Sequence, residues 1–245
     1  MNKTPLFIAI SALVFTTTAV SAKSSTEDDR AAIIAAYDAI KNKKFEIAVS
    51  ETNAVIERFE EGKQNDSVYL CASGSPDVLS TLFGAAVKAD KGEQDEGKTT
   101  TVAVSDNICS AYFFKGFALI DLRNREEALP NLKMAVQMDP DNQHYLNQLG
   151  EWYKAGGDWQ KSLEIFRKAS ETVDLSTSLM EDKEQSKQIM DQIRCRSYRG
   201  IAFNQVEMRN WDEARSAIDK CLKLIPNDPG SMRELQYITA QSDKE

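Results

Sequence analysis

The sequence predicts an all-α chain of antiparallel helix pairs stacked in a row, and three observations predict it. A set of apolar and small positions recurs at a step of 34 residues: Gly116 lands on Gly150, Ala128 on Ser162, Leu132 on Phe166 and Ala135 on Ala169. A further copy keeps the same internal spacings, with Ala202 to Ala214 matching Gly116 to Ala128 and Ala202 to Pro226 matching Gly116 to Pro140. Turn-forming residues punctuate each copy midway, at Asn124-Arg125, Gly156-Gly157-Asp158 and Arg209-Asn210.

Taken in order, the chain opens with an export signal. Lys3 gives a positive start, Leu6 to Phe15 is apolar, and Val20-Ser21-Ala22 offers a small-residue cleavage site. We expect residues 1–22 to be removed after Ala22, leaving a periplasmic or secreted protein. The apolar run is shorter than the roughly 20 residues that span a bilayer. No cysteine follows it to carry a lipid.

Residues 23–66 resemble a worn copy of the unit. Ala31, Ile34, Ala35 and Tyr37 open a helix, Asn42-Lys43-Lys44 turns the chain, and Phe45 to Phe59 resumes with Ala48, Val49, Val55 and Ile56. Over 67–108 the pattern is lost. Pro76-Asp77 can start a helix to Ala89, Gly92 to Thr100 is a charged loop, and Val68 to Cys71 with Thr101 to Val104 can pair as a short β-ribbon.

Three regular copies follow, at 109–142, 143–176 and 195–228. Small residues (Gly116, Ala128; Gly150, Ser162; Ala202, Ala214) belong where two helices cross closely, because a larger side chain would wedge them apart. Leu132, Phe166 and Ile218 are large enough to fill the space between units. Pro140 and Pro226 mark helix exits, since proline cannot donate to the helical ladder. Trp159 and Trp211 occupy one shared position just after the turn. Residues 177–194 form an insertion, charged and helix-favouring from Glu181 to Arg194, that lengthens the first helix of the last copy. Asp228-Pro229 starts a final helix within 229–245, whose Leu235 and Ile238 cover the exposed end of the stack.

With this spacing the chain resembles the tetratricopeptide repeat (TPR) family, whose unit is 34 residues long. Three positions depart from its pattern: Asp174 replaces a terminal proline, Ser162 an alanine and Gln205 an aromatic residue. The resemblance implies a TPR-type α-solenoid and a groove lined by the first helix of each unit. It points to Phe113, Phe117, Ile120 and Asp121 in the first regular copy, to His144, Asn147, Glu151 and Lys154 in the second, and to Arg196, Arg199, Phe203 and Glu207 in the third. Such a groove would take a protein or peptide segment with an apolar stretch and a carboxylate. Phe113 and Phe117 could equally be covered by the preceding helices. The carboxylate clamp of some TPR proteins uses paired Lys and Asn residues, of which only Asn147 has a counterpart here. An alternative to groove binding is a structural subunit of an envelope assembly that uses its outer faces and the 67–108 segment.

The remaining motifs weigh against catalysis. Gly92 to Thr99 spells the phosphate-loop string, but three carboxylates (Glu93, Asp95, Glu96) stand where phosphate oxygens would sit. A helix precedes the string and a β-favouring run follows, the reverse of the strand–loop–helix order that directs backbone N–H groups at phosphate. No nucleotide is expected. His144 is the sole histidine, so no histidine-rich metal site can be assembled, and a Ser–His–Asp triad would have to use it although the sequence holds no nucleophile elbow. No catalytic residue, metal or cofactor is assigned. A net charge of −8 argues against nucleic acid or an anionic membrane as partner. The four cysteines, Cys71, Cys109, Cys195 and Cys221, suit an oxidising compartment. Cys195 and Cys221 lie at ends of two helices that meet in an antiparallel hairpin, so we expect them to bridge; Cys71 and Cys109 then pair by elimination. The alternative is four small buried hydrophobes.

Overall fold

In this computed structural model the residues described are 27–65, 67–72, 100–172 and 182–243. The leader over 1–22, the helix expected from Pro76 to Ala89, the glycine–lysine string at 92–99 and Asp174 lie outside them.

Four hairpins turn through one backbone pattern. The pairs are α1 (Glu27–Lys41) with α2 (Phe45–Gly62), α3 (Asp106–Asp121) with α4 (Arg125–Met138), α5 (Gln143–Ala155) with α6 (Trp159–Glu171), and α7 (Lys183–Glu207) with α8 (Trp211–Leu224). In each turn one residue is left-handed: Lys43, Arg123, Gly157 and Arg209, with φ of 56°, 62°, 79° and 62°. The next N–H reaches back five residues, Asn124 to the Leu119 carbonyl, Asp158 to Tyr153, Asn210 to Gln205 and Lys44 to Ala39. This is the Schellman closure, which satisfies carbonyls left over at a helix end. Glycine and asparagine tolerate this conformation most readily, and Gly157 adopts it, but in two of the turns it falls to the arginine before the asparagine, Arg123 and Arg209. Asn124 and Asp158 instead cap the second helix, accepting from the Glu127 and Lys161 N–H groups, because the residue that leaves the turn must also start a helix. The hairpin of α1 and α2 shares this closure.

The small residues stand where helices touch. Ala128, Ser162, Ala202 and Ala214 are completely buried. A Cβ on Gly116 would come within 2.8 Å of the Leu132 side chain, and one on Gly150 within 3.0 Å of the Phe166 ring. Phe166 also meets Gly200 of the following unit, so it fills the seam between units.

Strands β1 (Ser67–Ala72) and β2 (Thr100–Ser105) pair in parallel, with Ser67 opposite Thr100 and Ala72 opposite Ser105. They are part of the N-terminal core. Tyr69, Cys71 and Val104 pack with Val55, Ile108, Tyr112 and Met138, and the Phe59 ring meets Tyr69 edge-on at 5.1 Å. A disulfide between Cys71 and Cys109, with Cα atoms 6.3 Å apart, ties β1 to the first turn of α3. The second disulfide joins Cys195 and Cys221, with Cα atoms 4.7 Å apart, across the hairpin of α7 and α8.

α7 runs for 25 residues, longer than its counterparts, and meets α5 near its middle, at Ile193, Arg196 and Ser197. The final helix, α9 (Pro229–Ser242), packs on both α7 and α8 and buries Ile238 completely against them. Among the described residues no helix is long and apolar enough to cross a membrane.

Candidate functional site

The first helices α3, α5 and α7, joined by α9, carry the groove positions. At the α3 end the side chains are aromatic. Phe113 is half-buried, 4.8 Å from the Tyr145 ring and 5.6 Å from Phe114, while Phe114 lies 6.0 Å from Tyr37 on α1. Phe117 and Ile120 are also half-buried and Asp121 is exposed. The N-terminal hairpin therefore flanks this row and leaves part of it open.

Toward α7 and α9 the surface becomes charged and pairs internally. Lys154 bonds Glu151 at 2.6 Å and stands 5.1 Å over the Phe203 ring. Arg196 donates to Gln148 Oε1 at 2.8 Å, and Arg199 meets Asp228 at 2.8 Å. Phe203 stacks on Tyr237 at 5.9 Å with Trp159 edge-on beside it, and the Tyr237 hydroxyl donates to Glu207. Burial holds the Arg196 guanidinium below its ordinary value; Glu151 opposes that shift and Arg199 adds to it. Burial likewise raises Glu234, while Lys154 and Arg199 pull it back.

Two sequence-based expectations change. Asn147 is completely buried, so it offers nothing to a partner. Its side chain accepts from Ser197 Oγ at 2.8 Å and donates to the Ile193 carbonyl at 3.5 Å, because α7 lies against α5 at this point. Arg199 is committed to holding α9 through Asp228, so it is not a free receptor for a carboxylate. His144 is exposed at the start of α5.

Sequence reasoning misses Glu234 and Tyr237, because it gives α9 only a covering role. Their three-residue spacing puts them on one helix face, and that signal is present in the sequence. A second concavity, about 420 Å³, opens on the side of the second helices, floored by Tyr198 and Ile201 and edged by Arg167, Asp212 and Lys220. Single-helix periodicity gives no sign of it. Among the described residues no group of three or more His, Cys, Asp or Glu is placed to hold a metal ion.

Residues 110–142 match the family model of the tetratricopeptide repeat. Similar solved structures include YrrB, described as a TPR protein with an unusual peptide-binding site, at 14% identity over 84% of this chain and 90% of that one, with a TM-score of 0.42. MamA is similar at 14% identity over 81% and 92%, with a TM-score of 0.38. A tetratricopeptide repeat protein from Parabacteroides merdae ATCC 43184 is similar at 16% identity over 89% and 79%, with a TM-score of 0.37. No curated protein sequence matches the chain.

Proposed function

For this chain, a tetratricopeptide-repeat protein, we propose a non-catalytic scaffold of the cell envelope that holds a peptide or protein segment along α3, α5, α7 and α9. Repeats of this family serve generally as protein-interaction scaffolds, and the finer reading rests on one observation. The aromatics Phe113, Phe114 and Phe117 of α3 are half-buried, with Phe113 against Tyr145 of α5, and α5, α7 and α9 bring the charged groups Glu151, Lys154, Arg196 and Glu234 within reach of one another. An apolar stretch of ligand gains area on the first, and polar groups of the ligand find donors and acceptors on the second. The ligand is matched to mixed charge more than to a lone carboxylate, since Arg199 is already paired.

Export is supported by the charged, apolar and small-residue order of 1–22 and by two bridged cysteine pairs, which persist in oxidising compartments. Mass spectrometry of the protein recovered from its native cell tests this, with Lys23 expected as the first residue.

The groove is tested by selecting peptides from a library of envelope-protein fragments on the purified protein. Affinities are then compared for Phe117→Glu and for Lys220→Glu on the opposite face. Binding should weaken at least tenfold in Phe117→Glu and hold in Lys220→Glu. Binding that ignores Phe117 and follows Lys220 would move the site to the cleft between the second helices.

A further inference from the structure

α1 begins the stack, and its outer face has no helix against it among the described residues. Its inner side buries Ala32, Ala36 and Ala39. On the opposite side Ile34 is 54% exposed and Tyr37 50% exposed, two of the five large apolar side chains so exposed among the described residues. Glu27, Arg30, Ala31, Ile34, Tyr37, Asp38 and Lys41 are all exposed and recur at helical spacings of three and four, so they share this face.

The stripe is self-complementary about Ile34. Arg30 and Asp38 stand four residues to either side, Glu27 and Lys41 seven to either side, and Ala31 and Tyr37 three to either side. An antiparallel pair of α1 helices related by a two-fold axis at Ile34 would set Arg30 opposite Asp38 and Glu27 opposite Lys41, each contact made twice. The large Tyr37 would face the small Ala31, and the two Ile34 side chains would meet on the axis. A two-fold interface requires this property, one patch that complements itself. The chain carries a net −8, so two copies repel in general. This stripe is balanced, with two acidic and two basic residues, and it lets opposite signs meet.

We propose that α1 is a homodimer interface, through which two copies join by their first hairpins and hold their grooves in one assembly. A single helix face buries on the order of 1,000 Å² in total, at the small end for a specific interface, so the dimer is concentration-dependent. Tyr37 is at the edge of the stripe that borders the aromatic row, 6.0 Å from Phe114, while the charged patch is carried by α5, α7 and α9, and the proposal does not depend on what they bind.

Analytical ultracentrifugation from micromolar to millimolar protein tests it. The wild type should show a reversible monomer–dimer equilibrium. Arg30→Glu and Asp38→Arg should each weaken it at least tenfold. An equimolar mixture of the two variants should regain dimer. In that mixed pair the two introduced side chains face each other, and the unaltered Asp38 of one copy faces the unaltered Arg30 of the other. Ile34→Asp should leave a monomer with unchanged helical content. A wild type that is monomeric throughout would overturn the proposal and leave the face to another protein. A dimer indifferent to Arg30 and Asp38 would overturn it as well.

Discussion

Gly200 of α7 lies against the ring of Phe166 of α6 with no room for a methyl group: a Cβ there would stand 2.5 Å from the ring carbons. Phe166 is completely buried and meets Gly150 on its other side, so two glycines from successive units grip one ring. Gly200→Ala must shift the ring or part the units, and overpacking of this kind costs about 1–3 kcal/mol. Gly62, at the end of α2, has nothing near its would-be Cβ. Gly62→Ala should be neutral or stabilise by about 0.5 kcal/mol through the unfolded chain. Urea unfolding of the two variants gives the comparison.

Ser162 departs from the alanine usual at its position, and the structure shows why a hydroxyl is held there. Its Oγ donates to the Gly150 carbonyl at 2.9 Å and accepts from Asn204 Nδ2 at 2.8 Å. Ser162→Ala leaves the buried Asn204 amide without that acceptor, at a cost of about 1–3 kcal/mol. The cost should shrink in an Asn204→Ala background. A double-mutant cycle by chemical unfolding reads the coupling, and purely additive effects would refute it.

Arg123 holds a left-handed conformation that an L side chain adopts at a cost of about 1 kcal/mol. Gly157 fills the matching position in the next hairpin at no such cost. Arg123→Gly is therefore expected to raise stability by somewhat less than that amount, since glycine also loosens the unfolded chain. A shift in the thermal midpoint checks it.

The two disulfides protect different parts. Cys195→Ser with Cys221→Ser opens a closed loop of 26 residues in the last hairpin and should cost about 3 kcal/mol. Cys71→Ser with Cys109→Ser should release β1 from α3. Hydrogen exchange would then rise over 67–72 while α5 to α8 keep their protection.

Docking of α9 should depend on pH in both directions. Burial pushes the Asp228 carboxyl up, but the Ser231 backbone N–H and hydroxyl and the Arg199 guanidinium outweigh it, leaving the group below its ordinary 3.8. That contribution is present above 3.8 and is lost as pH falls through the depressed value. Glu234, raised from 4.5 by burial, acts oppositely: its contribution is present below 4.5 and is lost as pH rises through the raised value. Protection factors of α9 amides should fall at low pH, and Asp228→Asn should remove that fall while keeping the cap. An unchanged acid profile in Asp228→Asn would count against the assignment.

What one helix needs from its neighbour was legible in the sequence. A close crossing demands a small residue and a seam demands a large one, so Gly116, Gly150, Leu132 and Phe166 recorded the repeat at a fixed step. Turns and caps are equally local, although the left-handed residue proved to be Arg123 or Arg209 and the asparagine beside it the start of the next helix. Cys195 and Cys221 could be paired because a hairpin brings its own ends together.

Exposure was not local, and there the sequence reading failed. Asn147 occupies an outward position on α5, yet α7 lies against it and buries its amide. Arg199 looks like a groove cation until α9 supplies Asp228, and Tyr237 from the same helix covers Phe203. Periodicity fixes the direction in which a side chain leaves its own helix. Which distant helix then lies there depends on how the units stack, and that was decided only when the whole array packed.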